Sequence, residues 1–147
     1  MPNPYHAILV AIDCSEESAQ VLARAAAMVT TSDAQLHLIH VIEPLALAYG
    51  ADVPMDVSDL QNSLVAQAQE KANTFAQRYQ IPSDHIHVEL GAIEKTIQDK
   101  AQSLACDLIV VGSHTRSGLA LLLGSTARGL VPGACCDVLA VKISRDD

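Results

Sequence analysis

The chain has 147 residues, enough for one domain spanning 1–147, and half of them are apolar while aromatics make up 3%, with one Phe and no Trp. The core must therefore be aliphatic and alanine-rich, and a formal net charge of −8 excludes nucleic acid and anionic membrane as main partners. The four cysteines (14, 106, 135 and 136) show no CxxC spacing, and no apolar run approaches the length of a membrane span, so a cytoplasmic, reducing setting is expected.

In chain order, Ala7 to Ile12 is a continuous apolar run suited to a buried strand, and Asp13-Cys14-Ser15 stops it. Ser15 is placed to cap a helix whose first turn holds Glu16 and Glu17, with Leu22, Ala25, Ala26 and Val29 on its apolar face. Leu36 to Ile42 forms a second strand. Glu43 to Asp56 has no clean period and reads as a long connection. Ser58-x-x-Gln61 is a capping-box pattern, and Leu60, Leu64, Ala68, Ala72, Phe75 and Tyr79 follow at helical spacing. His85 to Leu90 alternates as a strand near a sheet edge does. After Gly91, Ile93, Ile97, Ala101 and Leu104 line another helix. Leu108 to Val111 is a strand buried on both faces, and Asp137 to Ile143 is the last strand.

This alternation predicts an α/β domain: a five-stranded parallel sheet in the order 3-2-1-4-5 with helices on both faces. Ligands of such sheets sit beyond the strand C-termini where the strand order reverses. There Ala11-Ile12-Asp13 would face Val111-Gly112. Five of the seven glycines lie between 112 and 133. Glycine permits positive φ and a close ligand approach, and the free amides of a helix start at Ser125 attract phosphate. The same features also suit a plain strand-to-helix turn.

ILVAIDCSEES, LIHVIEP, DLIVVGSHTRSGLALLLGSTA and DVLAVKI together resemble the universal stress protein family, in its single-domain form, over almost the whole length. The resemblance implies a Rossmann-like fold of the adenine nucleotide alpha hydrolase-like type and a stress-response role. ATP-binding members carry G-x2-G-x9-G-[ST]. Here Gly112 is the first glycine and Gly124-Ser125 the last pair. Thr115 stands in place of the second glycine, and eight residues separate it from Gly124. Carried over by position, the resemblance implies adenine near Ala11, Ile12 and Val41, ribose along Val111 and Gly112, and triphosphate at Gly124, Ser125 and Thr126. Asp13 matches the acidic residue near the ribose or the metal of ATP with Mg2+, and is equally suited to a helix-start carboxylate. Arg116 is the cation of the loop, either beside a phosphate or simply solvated.

Other groups carry less. His37 and His40 point to opposite faces of a strand, and His85 with His87 makes a two-ligand set that is weak for a metal. Ser15 and Ser18 beside Asp13 have no histidine placed to activate them, so no catalytic residue is assigned. Cys135-Cys136 is a vicinal pair, expected to be buried ahead of the last strand and not redox-active. Gly129 and Pro132 predict a short or kinked last helix. Three classes of function follow: an adenine-nucleotide-binding regulatory protein, a family member that works through dimerisation and partner contacts without nucleotide, and a slow ATP hydrolase. Val138 to Ile143, an apolar strand at the chain end, predicts an edge that pairs with a second copy, and the resemblance implies the same homodimer.

Overall fold

Ile8, Leu9 and Val10 have no solvent exposure, because the strand that carries them is covered on both faces and paired on both sides. The computed structural model describes residues 5–29, 33–44, 58–113 and 134–143. Its sheet is five-stranded, in the order β3-β2-β1-β4-β5, with β1 Ala7–Ala11, β2 Gln35–Ile42, β3 Ile86–Leu90, β4 Leu108–Ser113 and β5 Asp137–Lys142. Each pairing is parallel, as the helix-strand alternation predicts. β3 and β5 are the edges.

The side-chain alternation of the strands divides the core in two. Ile8, Val10, Leu36, Leu38, Leu108 and Val110 face α1 (Ser18–Val29) and α2 (Ser58–Arg78), meeting Val21, Leu22, Ala72 and Phe75. Leu9, Ile39, Ile109 and Val111 face α3 (Ile93–Ser103), meeting Ile97 and Ala101. Among the described residues three helices cover the two faces, and the small side chains of Ala25, Ala72 and Ala101, each fully buried, let them approach closely.

Several expectations shift locally. α1 starts at Ser18, later than Ser15, because Ser15 to Gln20 is wound into i→i+3 hydrogen bonds first (Ser18 N to Ser15 O, 2.9 Å). Glu16 and Glu17 therefore precede the helix. α2 includes Ser58 itself, and Leu60 in its first turn is 57% exposed. Burial on this helix begins at Ala68, since its C-terminal half is what reaches β2 and β3. His85 belongs to a 3-10 turn, Ser83–His85, ahead of β3. Cys135 is exposed and Cys136 half-buried, against the expectation of burial, because both precede β5 at the rim of the sheet. The expected kink at Gly129 and Pro132, and most of the Glu43 to Asp56 connection, lie outside the described residues.

Candidate functional site

The strand order reverses between β1 and β4, so the crevice beyond their C-terminal ends is where this fold has room for a ligand. Val10 pairs with Val110, which sets Ala11 beside Val111. β2 extends past its last contact with β1, Ala11↔Ile39, and so carries Val41 to the same rim. Ala11, Val41 and Ile93 pack partly buried against the cluster that contains Val111. The crevice floor is therefore aliphatic, the surface a flat purine requires.

Asp13 lies two residues beyond the end of β1. Its Oδ1 accepts from the Ser15 amide (3.0 Å), the Ser15 hydroxyl (2.7 Å) and the Ser18 hydroxyl (2.7 Å). The carboxylate thus ties the turn together and anchors the start of α1, the structural alternative that the sequence left open. Cys14 beside it adopts φ 63°, so the chain turns there through a conformation that ordinarily favours glycine. Burial pushes the Cys14 thiol up to about 11, helped by the Asp13 charge and opposed by Lys71. The reactive thiolate is thereby disfavoured at neutral pH.

Gly112 has a different reason to be glycine from the one the motif suggests. A Cβ there would lie 2.8 Å from Ile143 Cδ1 and 2.9 Å from Val21 Cγ2. The missing side chain is what lets α1 and the residue after β5 close over β4. Gly112→Ala is expected to cost about 1–3 kcal/mol through overpacking, seen as a lower urea midpoint. Ile143 can rotate its terminal methyl away, whereas Val21 can yield only if α1 shifts. An unchanged midpoint would show that the neighbours absorb the methyl freely.

The sequence missed His40 as a site-builder. It lies on β2, and its Nδ1–H donates to the Ile12 carbonyl at 2.8 Å, while the Ile12 amide donates to the Ile39 carbonyl at 3.0 Å. β2 thus fixes both the amide and the carbonyl of Ile12, the residue ahead of Asp13. Apolar and polar alternation along β2 was the available signal, since a histidine on a helix-covered face needs a backbone partner. Thr115, Arg116, Gly124, Ser125 and Thr126 lie outside the described residues. Among the described residues no group of three His, Cys, Asp or Glu is arranged to hold a metal ion, so Asp13 stands alone as the candidate metal contact.

The universal stress protein family model matches residues 4–142. The chain is 41% identical over 143 residues to universal stress protein A homolog 2 of Coxiella burnetii, an alignment covering 95% of this chain and 96% of that protein. The structure of universal stress protein UspA from Lactobacillus plantarum superposes with a TM-score of 0.73 at 24% identity, covering 93% of this chain and 97% of the other. A universal stress protein solved in complex with cAMP superposes with a TM-score of 0.61 at 24% identity, covering 93% and 96%. On the match of the family model and the length and identity of the alignment, the chain belongs to the universal stress protein family.

Proposed function

We propose that this protein binds an adenine nucleotide, ATP with Mg2+, in the crevice beyond β1, β2 and β4, and acts by occupancy as a regulatory homodimer in the cytoplasm. The observation that carries the reading is the convergence of Ala11, Val41 and Val111 on one aliphatic rim next to Asp13. Support comes from the cAMP complex of a protein with the same fold. In this reading adenine rests near Ala11, Ile12 and Val41, ribose lies along Val111 and Gly112, and Gly124, Ser125 and Thr126 receive the phosphates, with Thr115 and Arg116 in the same loop. No side chain is assigned as a general base, so at most slow hydrolysis is expected.

Titration calorimetry with ATP and Mg2+ tests this. Relative to the family pattern, Thr115 and the shorter loop remove one or two neutral hydrogen bonds. That is roughly 1–3 kcal/mol, or about one to two decades in affinity. Thr115→Gly is expected to tighten binding and Gly124→Val to abolish it. Asp13→Asn is the informative change at the metal position. Its amide oxygen still accepts from Ser15 and Ser18, so the fold is kept while the charge is lost. Weaker binding with Mg2+ and no change without it is the expected pattern. No heat at millimolar ATP, with none restored by Thr115→Gly, would leave the reading without support.

A second reading, a family member that works without nucleotide, is favoured by the local use of the two motif positions. Asp13 Oδ1 already has three donors, and Gly112 is needed for packing. Both readings share the dimer. β5 is an edge of the sheet, with Val138 and Leu139 packed against the core and Val141 buried. Its outer row of backbone groups is suited to a second copy. Sedimentation at micromolar concentration should show a dimer; a monomer would reject the pairing.

A further inference from the structure

Away from the crevice, at the N-terminal ends of β4 and β5, three thiols meet. Cys106, Cys135 and Cys136 line one cavity of about 440 Å³ together with Tyr5, Asp107 and Asp137. The three are free cysteines. Cys106 and Cys135 stand at equivalent places, each two residues ahead of the pair Leu108↔Asp137 that opens the β4–β5 ladder. Cys136 packs against the apolar cluster that contains Cys106. Among the described residues no group of three His, Cys, Asp or Glu is arranged for a metal ion.

We propose that the cluster is an oxidant-responsive site, in which Cys135 reduces a hydroperoxide and Cys106 resolves the product into an intrachain disulfide. Exposure selects Cys135 as the attacking group, since Cys106 is 5% exposed and Cys136 half-buried. Burial also pushes the Cys106 thiol up to about 11 and the Cys136 thiol up to about 12, so both are protonated at neutral pH and neither attacks first. In the first step the Cys135 sulfur bonds to the peroxide oxygen and the O–O bond breaks. The thiol proton leaves with the alcohol or water, and Cys135 becomes a sulfenic acid, oxidised by two electrons. In the second step the Cys106 sulfur bonds to the Cys135 sulfur, the S–O bond breaks, and hydroxide leaves with the Cys106 proton as water. Two thiols and one hydroperoxide thus give one disulfide, one alcohol or water, and one water. Cys106 is assigned over Cys136 because a bridge between adjacent residues closes a small ring that strains the peptide between them.

The test uses the full reduced chain with one equivalent of hydrogen peroxide, followed by peptide mass spectrometry without reductant and dimedone trapping of sulfenic acid. Wild type should yield a Cys106–Cys135 peptide pair lacking two hydrogens, formed faster as the pH rises, because thiol attack proceeds through the thiolate. Cys136→Ser should keep this bridge. Cys106→Ser should accumulate dimedone on Cys135, and Cys135→Ser, at an exposed position that leaves folding intact, should show neither product. A Cys135–Cys136 bridge, a disulfide between two chains, or Cys14 oxidised as fast as Cys135 would each overturn the assignment.

Discussion

Asp107→Ala is expected to lower the stability of the whole domain by about 2–4 kcal/mol. Three hydrogen bonds converge on its carboxylate. The His6 amide reaches both oxygens, at 3.1 and 2.9 Å, and the Ala7 amide reaches Oδ1 at 3.1 Å. The backbone reciprocates, with the Asp107 amide donating to the Ala7 carbonyl at 2.9 Å. The residue ahead of β4 thereby grips the chain entering β1, and the two central strands are held in register at their start. Burial alone would raise the carboxyl pKa, but the amides of His6 and Ala7 outweigh it and hold it below the usual range. A hydrogen bond to a charged group contributes about 1.5–3 kcal/mol, and the Ala7 amide would be left part-buried without its acceptor. Because the folded pKa is depressed, this contribution is complete above the ordinary carboxylate pKa and is lost as the pH falls through the folded one. Urea unfolding at neutral pH measures the loss. Asp107→Asn should recover part of it, because the amide oxygen still accepts. A midpoint equal to wild type for Asp107→Ala would show that the ladder alone sets the register.

Acid should weaken the fold well before the carboxylates titrate. His37 on β2, His85 in the 3-10 turn and His87 on β3 converge on one side of the sheet. The His37 and His85 rings stack with centroids 4.0 Å apart, and His37 Nδ1 lies 3.3 Å from His87 Nε2, so one of that pair carries the proton and the other accepts. His85 Nδ1–H donates to the Leu36 carbonyl at 3.0 Å. His37 is 6% exposed. Burial first, and then the neighbouring charges of His85 and His87, bring its pKa down to about 4, with Asp84 opposing. Burial also lowers His87, reinforced by Lys100 and His85 and opposed by Glu89 and Asp84. The unfolded chain takes up the His37 proton near pH 6.5, long before the folded one does. Stability is thus complete above that pH and declines as the pH falls towards 4. At pH 5 the His37 contribution to the loss is about 2 kcal/mol. The difference in unfolding free energy between pH 7.5 and pH 5 should shrink by that amount in His37→Leu. An equal acid response in both proteins would place the sensitivity elsewhere.

The strands were readable because burial on both faces leaves an unbroken apolar run, as in Ala7 to Ile12 and Leu108 to Val111, and the alternation with helices then constrains the strand order. The histidine cluster was not readable. His37 and His87 are 50 residues apart, and the β2–β3 register decides whether they meet. Asp13 and Gly112 were legible as positions but open in their roles. Whether a carboxylate serves a ligand or its own turn depends on the path the loop takes afterwards, here back through Ser15 and Ser18. What forbids a side chain at 112 depends on Val21 and Ile143, neither of which is near it in sequence.

The central place of β1 also governs when the domain can form during synthesis. Ile8 pairs with Leu36 on one side and with Leu108 on the other. A nascent chain that has delivered β2 and β3 therefore holds half a sheet, with one flank of its most apolar strand still open. The partner for that flank is 100 residues downstream, and closing so long a loop is slow compared with local helix formation. Until β4 leaves the ribosome, Leu9 and Val10 present an uncovered edge to other chains in the same state, the condition under which unfinished sheets aggregate and chaperones are engaged.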